Sequence, residues 1–243
     1  MKIPCVILAG GLATRMRPLT DEIPKALIPI DGRPFIDHQL GWLAGHGVTD
    51  VVLSIGYRGE MLRAHVGDGR QLGLDVRYVD EGRQLRGTAG ALRLALAEGA
   101  LDERFLVTYG DSFLPIDFAA VWRAFLTSGK PALMTVFANG GRWDSSNVIF
   151  DGRDLVLYDK HHRTRPAADF TFIDYGLMAL TREVVAAEVP ATGKADLADL
   201  LNALSLRGEL AGFEVHERFY EIGSPAGLED LKLWMKNRQS PGG

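Results

Sequence analysis

The sequence predicts an α/β fold built on a mixed, mostly parallel β-sheet flanked by helices. Short apolar runs rich in β-branched residues alternate with helical periods through residues 1–112. Parallel strands need such helical crossovers, whereas hairpins join antiparallel ones. After residue 112 strands become more frequent, and Asp151-Gly152 between two apolar runs is typical of a hairpin turn. A smaller β-rich subregion is therefore expected within residues 113–243.

The elements of the first half follow from local patterns. The run PCVILAG and the β-branched run VVLSI predict the first two strands, and FLVTYG predicts a buried one. Strands are expected at Cys5–Ala9, Val51–Ile55, Leu74–Val79 and Phe105–Gly110, and helices at Phe35–Gly45, Glu60–Val66 and Ala89–Ala97.

The second half is predicted to contain helices at Phe118–Leu126, Asp196–Leu206 and Pro225–Lys236, and strands at Ala132–Phe137, Phe172–Leu177 and through FEVHERFYEI. The C-terminal helix carries an apolar stripe of Leu228, Leu231 and Trp234, which we expect to pack on the chain's own core, with a partner as the alternative. No Gly-, Pro- or Ser-rich linker interrupts the sequence, so one domain is expected.

Composition excludes several classes of protein. The 243 residues are 47% apolar and 24% charged, which is typical of a soluble globular chain. The formal net charge of -4 gives no basic field for nucleic acid. No apolar run has the ~18 residues of a membrane span, and the first run is wrongly flanked for a signal peptide, so a cytoplasmic location is expected. The one cysteine, Cys5, is assigned to core packing.

The segment LAGGLATRMRPLTDEIPK, which follows the first strand, is the strongest functional signal. Loops at the carboxyl ends of parallel strands bind ligands in open α/β folds. Gly10 and Gly11 allow close approach and positive φ, and consecutive N–H groups of such a loop bind anions. Arg15 provides a forked donor and Lys25 a compact charge, both suited to phosphate. A simple turn with solvated cations is the alternative.

Neither common phosphate-binding signature explains this loop. The GxGxxG dinucleotide spacing and the GxxxxGK[ST] P-loop are both absent. Instead, LAGGLATRMRPLT with PKALIPIDGRPF resembles the signature of the sugar-1-phosphate nucleotidyltransferases. GTAGAL, YGDS, YDK and FYEIGSP follow in the family's order, so the resemblance covers nearly the whole chain. Ala13 departs from the usual glycine, which puts the path of the loop in question.

The resemblance implies a Rossmann-like nucleotide-diphospho-sugar transferase fold, with a nucleotide-binding half at 1–112 and a sugar-phosphate-binding half at 113–243. Arg15 and Lys25 are the implied catalytic residues. The implied nucleotide-binding residues are Leu8, Ala9, Gly10, Gly11, Thr14, Arg15, Glu81, Gly87 and Thr88. The implied sugar-phosphate-binding residues are Lys25, Gly110, Asn147, Lys160, Asp174 and Gly176.

Several of these residues have a structural alternative. Thr88 could instead cap its helix, Glu81 could be solvated, and Asp174 could end a strand. The basic run from Lys160 through His161, His162, Arg163 and Arg165 is either a solvated loop or a lid over phosphate. The two histidines lack the spaced partners of a zinc site.

Asp111 follows the strand FLVTYG and is expected to point into the same cleft as the glycine loop. Mg²⁺ is bound by one or two carboxylates, with phosphate and water completing its shell. Asp111 is the first expected ligand, and the resemblance implies Glu221 as the second, where the family more often has aspartate. The alternatives are that Asp111 is a turn residue and that Glu221 is a surface charge. Asp111-Ser112-Phe113 lacks the second aspartate expected of a glycosyltransferase.

The expected reaction joins a nucleoside triphosphate to a sugar 1-phosphate and releases pyrophosphate. In its length and in the segment FYEIGSPAGLEDL, the chain resembles guanylyltransferases that act on heptose and mannose 1-phosphates. This resemblance favours GTP and D-glycero-D-manno-heptose 1-phosphate as substrates. A uridylyl-, thymidylyl- or cytidylyltransferase is the alternative, and a silent nucleotide-sugar-binding regulator is the alternative of another class. Neither nucleic acid nor membrane is expected as a partner, and the chain is expected to be a monomer or homodimer.

Overall fold

The computed structural model describes residues 2–11, 14–82 and 84–239. Its strands are β1 (Pro4–Leu8), β2 (Pro29–Ile30), β3 (Arg33–Pro34), β4 (Asp50–Ile55), β5 (Asp75–Asp80), β6 (Arg104–Tyr109), β7 (Ser112–Phe113), β8 (Ala132–Ala138), β9 (Val148–Phe150), β10 (Leu155–Tyr158), β11 (Phe172–Thr181), β12 (Leu210–Val215) and β13 (Tyr220–Glu221). Its helices are α1 (Phe35–Gly45), α2 (Gly59–Val66), α3 (Gly87–Ala97), α4 (Phe118–Ser128), α5 (Arg182–Glu188), α6 (Leu197–Leu206) and α7 (Pro225–Gln239).

The central sheet of the described chain is mixed and mostly parallel, as predicted. Its order is β10-β9-β11-β6-β1-β4-β5, with β8 on β11 and β12 on β8. Strands β1, β4, β5 and β6 run parallel, and β11 is antiparallel to β6 and β8. The strands that follow residue 113 thus extend the sheet begun by the first half. The predicted hairpin is confirmed as β9 and β10, joined through Asp151 and Gly152, whose φ is +93°.

Alternate residues of β1 face opposite layers of core. Cys5 and Ile7 pack with apolar residues of α1, α2 and α4, whereas Val6 packs with those of α3, α5 and α6. A parallel strand covered on both faces must be apolar along its whole length, which explains the run PCVIL. The assignment of Cys5 to the core is confirmed, since it is 1% exposed.

Helix α7 forms a third apolar cluster with the loop that follows β1. Leu228 and Leu231 are buried there with Met16, Ile28 and Tyr220, and Trp234 packs against them. The stripe therefore contacts the chain's own core. Within the described residues, none of the helices is long and apolar enough to cross a membrane.

One prediction about the second half is wrong, and one helix was not predicted. FEVHERFYEI is not one strand, because β12 ends at Val215 and β13 begins at Tyr220. The first part pairs with β8, whereas Tyr220 and Glu221 pair with Phe113 and Ser112, so the chain leaves the main sheet between them. Helix α5 was also not predicted, although Thr181 caps it by accepting a hydrogen bond from the Val184 N–H.

Candidate active site

The carboxyl ends of β1, β4, β5 and β6 meet at one edge of the sheet, and their loops lie against each other. The Ala9 N–H donates to the Ser54 carbonyl at 2.8 Å, and the Gly110 N–H donates to the Leu8 carbonyl at 2.9 Å. A Cβ atom on Gly110 would stand 2.7 Å from the Ala9 Cβ. Glycine is therefore required there for close packing of the strand ends.

Gly10 lies against the end of the Glu81 side chain. A Cβ atom on Gly10 would lie 2.5 Å from Glu81 Oε1, whereas one on Gly11 would meet nothing within 4 Å. Neither residue has a φ in the left-handed region, so the expected positive φ is wrong for both. The question about Ala13 lies outside the described residues. The close contact at Gly10 is thus with the Glu81 carboxylate, and it involves no unusual φ.

Lys25 and Asp111 form the ion pair at the centre of this edge. Lys25 Nζ lies 2.7 Å from Asp111 Oδ2, with the two side chains 17% and 29% exposed. Lys25 begins a single 3-10 turn, Lys25–Leu27, directly after Pro24, whose φ is -65°. Proline is well suited to the position before a helical turn because its φ is fixed near that value. The turn thus orients the lysine toward the end of β6.

Arg15 approaches the same point from the 3-10 turn Thr14–Met16. A methyl group on Gly223 would lie 3.5 Å from Arg15 Nη2, 3.9 Å from Asp111 Oδ2 and 4.0 Å from Lys25 Nζ. The three charged groups therefore converge on the buried Gly223 backbone, although they are far apart in sequence. Thr14 is exposed at the start of the same turn.

Glu221 joins this group through the short ladder between β7 and β13. It pairs with Ser112, and the Ile222 N–H donates to the Asp111 carbonyl at 2.9 Å. Partial burial in the cleft and the neighbouring Asp111 carboxylate raise the pKa of Glu221 to about 7, although Lys25 and Arg15 oppose the shift. The described residues contain no group of three or more His, Cys, Asp or Glu placed to hold a metal. The carboxylates available to a metal ion at this site are therefore those of Asp111 and Glu221.

A cavity of about 350 Å³ opens beside the ion pair. It is lined by residues from the strand ends, the Lys25 turn, the start of α3 and the segment before α6. These are Leu8, Ala9, Gly10, Gly11, Lys25, Ala26, Glu81, Leu85, Gly87, Thr88, Ala91, Tyr109, Gly110, Asp111 and Lys194. Its volume suits a small organic ligand. The structure thus brings most of the expected nucleotide-binding residues to one cavity, with Lys25 and Asp111 on its wall.

Glu81 is fixed rather than solvated. Its carboxylate accepts hydrogen bonds from the Ser54 hydroxyl at 3.4 Å and the Arg86 N–H at 3.1 Å. Burial raises the pKa of Glu81, and these two hydrogen bonds oppose the rise.

Thr88 does not cap its helix, so that alternative is wrong. The cap residue of α3 is Arg86, whose side chain makes no capping hydrogen bond. The Thr88 hydroxyl donates to Asp196 at 3.1 Å and accepts from the Leu197 N–H at 2.7 Å. It therefore joins the beginnings of α3 and α6, while its residue still lines the cavity.

A second group of expected residues lies along the start of β11. The Asn147 side-chain oxygen accepts from the Asp174 N–H at 2.8 Å, and the Asp174 carboxylate accepts from the Gly176 N–H at 3.0 Å. The pairing of β11 with β8 is irregular between Asp174 and Met178, and Gly176 has a φ of +100°. Only glycine adopts that φ without strain, so the irregularity and Gly176 belong together.

Lys160 and Tyr109 connect this group to the cavity. Burial raises the pKa of Asp174, and the nearby Lys160 ammonium opposes this rise. The pKa of Asp196 is lowered, because hydrogen bonds from the Ala198 N–H and the Thr88 hydroxyl, together with the charge of Lys160, outweigh the opposing effect of burial. Tyr109 lines the cavity, and burial, with the charges of Asp174 and Asp111, raises the pKa of its hydroxyl. The two groups of residues therefore belong to one continuous site.

Asp174 should make stability depend on pH. Burial raises the pKa of its carboxyl to about 6, from 3.8 in an unfolded chain. The native state thus holds a proton that the unfolded state has lost, and stability falls as pH rises from about 4 to about 6. Two pKa units correspond to at most about 3 kcal/mol. Asp174→Asn should therefore raise the free energy of unfolding by about 1 to 3 kcal/mol near pH 8 and change it little near pH 3.5.

Urea unfolding of both proteins at the two pH values measures this difference. Asparagine keeps the oxygen that accepts from Gly176, so the hydrogen bond is preserved. A gain in stability that is equal at both pH values would contradict the assignment, because it would not involve a proton.

The basic run after Lys160 is held at several points. Asp159 accepts from the His161 N–H at 3.1 Å and from the Thr164 N–H and hydroxyl, both at 2.8 Å. His162 contacts the Ser146 carbonyl at 2.8 Å, and Arg163 pairs with Asp199 at 3.4 Å. The run is therefore a turn anchored to α6 and to the segment before β9.

Several residues of the site were not predicted, and Gln39 and Lys194 are the polar ones with the clearest roles. Gln39 is 4% exposed, and its amide donates to the carbonyls of Tyr109 at 2.8 Å and Ser112 at 2.7 Å. It thereby fixes the turn that carries Asp111, and a polar residue on the apolar side of α1 was the available signal. Lys194 lines the cavity from an irregular segment before α6, for which no local pattern existed.

The chain is similar to known nucleotidyltransferases. Residues 5–145 match the family model described as nucleotidyl transferase. A glucose-1-phosphate thymidylyltransferase of Streptomyces antibioticus is 33% identical over 69% of this chain and 47% of its own length. A D-glycero-alpha-D-manno-heptose 1-phosphate guanylyltransferase of Aneurinibacillus thermoaerophilus is 32% identical over 50% of this chain and 52% of its own.

An N-acetylmuramate alpha-1-phosphate uridylyltransferase of Caulobacter vibrioides is 29% identical over 90% of this chain and 91% of its own length. Among solved structures, a putative glucose-1-phosphate thymidylyltransferase from Bacillus anthracis has a TM-score of 0.82 and 20% identity, covering 100% of this chain and 98% of that one. This similarity indicates the same fold.

The match to the thymidylyltransferase and the heptose guanylyltransferase spans only about half of each relative's length. The family model, by contrast, covers more than half of this chain and includes the glycine loop, Lys25 and Asp111. The chain therefore belongs to the nucleotidyl transferase family.

Proposed function

We propose that the protein joins a nucleoside triphosphate to a sugar 1-phosphate and releases pyrophosphate. The observation that carries this proposal is the meeting of Lys25, Asp111 and Arg15 around Gly223, beside a cavity of about 350 Å³. Converging cations suit a polyphosphate, and the adjoining cavity has room for a nucleoside. The family to which the chain belongs supports the same reaction type.

In this reaction a phosphate oxygen of the sugar 1-phosphate attacks the α-phosphorus of the triphosphate. One P–O bond forms there, and the bond from the α-phosphorus to the bridging oxygen of the β-phosphate breaks, so that pyrophosphate leaves with that electron pair. The attacking oxygen is already anionic, and no general base is needed. Catalysis then consists of positioning and charge neutralisation. Arg15 would hold the β- and γ-phosphates, and Lys25 the α-phosphate and the incoming phosphate.

The two carboxylates fit a magnesium ion. Glu221 lies beside Asp111, because it pairs with Ser112 and the Ile222 N–H donates to the Asp111 carbonyl, and two adjacent carboxylates are an arrangement that a divalent cation would stabilise. Two carboxylates with phosphate and water are the ligands that Mg²⁺ commonly uses. Asp111 and Glu221 would hold the ion, which when bound neutralises phosphate charge. Lys25, already paired with Asp111, lies beside this position.

The sugar 1-phosphate would lie along the second group of residues. Asp174 presents a carboxylate for sugar hydroxyls, and Asn147 fixes the backbone of Asp174. Lys160 supplies the nearby positive charge for the sugar phosphate, with Gly110 and Gly176 allowing close approach. Tyr109 lines the nucleotide cavity next to this group.

We favour GTP and D-glycero-D-manno-heptose 1-phosphate as substrates. The A. thermoaerophilus relative, named for that sugar phosphate and a guanylyl group, supports this choice. The C. vibrioides relative matches more of both chains and favours a second candidate, a uridylyl transfer to a muramate-type phosphate. Mannose 1-phosphate with GTP and glucose 1-phosphate with dTTP are further candidates.

A panel of pyrophosphate-release assays with Mg²⁺ tests the proposal. GTP, UTP, dTTP, CTP and ATP are each combined with heptose, mannose, glucose and N-acetylmuramate 1-phosphates. Release with GTP and the heptose phosphate is expected. Release with another pair would retain the reaction and overturn the substrate choice. No release with any pair, but with binding of a nucleotide sugar, would instead indicate a regulatory binding protein.

A further inference from the structure

Strand β11 contains an irregularity directly beside the sugar-phosphate group of residues. Asp174 pairs with Val136 of β8, whereas Met178 pairs with Met134. Three residues of β11 therefore lie opposite one residue of β8, Thr135. Extra residues of this kind form a β-bulge, which bends a strand and changes the direction of its side chains. Because Asp174 is the last paired residue before the bulge, its direction depends on how the bulge is held.

Two threonine hydroxyls hold the carbonyl groups of this bulge. The Thr135 hydroxyl donates to the Leu177 carbonyl at 2.7 Å, and the Thr108 hydroxyl of β6 donates to the Gly176 carbonyl at 3.1 Å. The two threonines are 0% and 1% exposed, and Leu177 is 0% exposed. Water cannot replace a donor at such a position, so the loss of either hydroxyl would be costly.

The amide groups of the bulge are held by residues of the site itself. The Gly176 N–H donates to the Asp174 carboxylate at 3.0 Å, and the Asp174 N–H donates to Asn147 Oδ1 at 2.8 Å. A Cβ atom on Gly176 would lie 3.9 Å from Cδ2 of Tyr109, which lines the cavity. The conformation that the threonines hold is therefore the one in which Asp174 and Gly176 lie beside the cavity wall.

Packing alone does not explain a threonine at these two positions. Thr108 lies in the buried run FLVTYG and Thr135 in the buried strand ALMTVFA, and both runs are mainly apolar. Valine has nearly the same shape as threonine and would fit a buried strand without placing a hydroxyl in the core. The contacts of the two hydroxyls with the bulge point to the holding of its backbone as their role.

We propose that Thr135 and Thr108 are positioning residues for the sugar 1-phosphate, because their hydroxyls hold the bulge of β11 in the conformation that presents Asp174 to the sugar hydroxyls. This inference rests on the proposed function, since it concerns the second substrate of that reaction. The threonines act through Asp174 and not by touching the substrate. Thr108 also lies on the strand that leads to Asp111, so its hydrogen bond joins the sugar-binding bulge to the strand that precedes the proposed metal ligand.

Thr135→Val tests the inference, because it removes the hydroxyl and nearly keeps the shape of the side chain. Heptose, mannose, glucose and N-acetylmuramate 1-phosphates are each titrated calorimetrically into the full chain with Mg²⁺ and a saturating α,β-methylene analogue of GTP or UTP, which prevents turnover. The variant should bind the sugar phosphate about 10-fold more weakly, the scale of a buried acceptor left without its donor. Its affinity for the nucleotide analogue should be unchanged.

Two further variants show whether the hydroxyl is the cause. Thr135→Ser retains the hydroxyl and should restore most of the affinity for the sugar phosphate. Thr108→Val should weaken sugar-phosphate binding in the same direction as Thr135→Val, because it removes the donor to the neighbouring carbonyl. A Thr135→Ser variant as weak as Thr135→Val would overturn the inference, since the hydroxyl would then not be responsible.

A double-mutant cycle with Asp174→Ala separates positioning from a general structural effect. If Thr135 acts through Asp174, Thr135→Val should weaken sugar-phosphate binding much less in a chain that already lacks this carboxylate. Residues that act through one group give losses that do not add, whereas independent residues give additive losses. Additive losses in this cycle would overturn the inference.

Val185→Ala is the control for lost stability, because Val185 is buried on α5 and its truncation leaves a cavity in the core. It should lower the thermal unfolding midpoint but leave the affinity for the sugar phosphate unchanged. Unaltered sugar-phosphate binding by Thr135→Val, or an equal loss of nucleotide affinity, would overturn the inference. Absence of sugar-phosphate binding by the unaltered protein would instead count against the proposed function.

Discussion

Lys25→Met is expected to lower kcat by about two to three orders of magnitude, the effect of losing one preorganised electrostatic donor at a reacting centre. Methionine retains the unbranched stem, so the apolar contacts of the 3-10 turn are kept while the ammonium is lost. Lys25 Nζ lies 2.7 Å from Asp111 Oδ2, and the variant also leaves that carboxylate without its partner. Steady-state pyrophosphate release measures kcat and KM separately.

Two comparisons make this result specific to Lys25. Lys25→Arg keeps the charge but alters its reach and shape, and should recover part of the lost activity. Lys232→Met, which removes the charge of a partly exposed lysine on α7 that pairs with Glu229, should leave kcat unchanged. Unaltered turnover of Lys25→Met, with a normal thermal unfolding midpoint, would remove Lys25 from the mechanism.

Asp111→Asn should lower activity by a similar or larger factor, because a metal ion contributes several kcal/mol to stabilising phosphate charge and each 1.36 kcal/mol is a tenfold effect. Asparagine has nearly the same shape but carries no charge. Mn²⁺ binding in the presence of nucleotide, followed by electron paramagnetic resonance, gives a readout that does not require turnover. The variant should bind Mn²⁺ much more weakly than the unaltered protein.

Asp199→Asn is the matched control, since Asp199 is an exposed partner of Arg163 on α6. It should leave both turnover and Mn²⁺ affinity unchanged. An Asp111→Asn variant that retains full activity and a normal response to metal concentration would refute the ligand assignment.

The local elements could be predicted from the sequence because they depend on nearby residues. The composition of VVLSI predicts a buried strand, and a helical period predicts α1. Both β4 and α1 lie at or close to their predicted bounds. The break after Val215 could not be predicted in this way. It exists because Tyr220 and Glu221 pair with the two residues of β7, more than 100 positions earlier in the chain. The pairing of β13 with β7 is a long-range contact, which local sequence patterns do not determine.

The residues of the candidate site also divide into those marked by a local motif and those placed by tertiary contacts. Lys25, Arg15 and Asp111 were recognisable from motifs, and the structure places them around Gly223. Gln39 and Lys194 were missed because their positions depend on tertiary contacts. Lys194 enters the cavity only because the Ala195 carbonyl caps α3. No periodicity or motif of its own marks that segment.

The product that receives the α-phosphorus distinguishes nucleotidyl transfer from other reactions of a nucleoside triphosphate. The nucleotide that the panel selects is supplied with a radioactive α-phosphate in one reaction and a radioactive γ-phosphate in another, each with sugar 1-phosphate and Mg²⁺. Nucleotidyl transfer predicts that all consumed α-label appears in a nucleoside diphosphate sugar and all consumed γ-label in pyrophosphate, in equal amounts. Appearance of γ-label in inorganic phosphate or on the sugar, with α-label remaining in a nucleoside diphosphate, would contradict the proposed reaction.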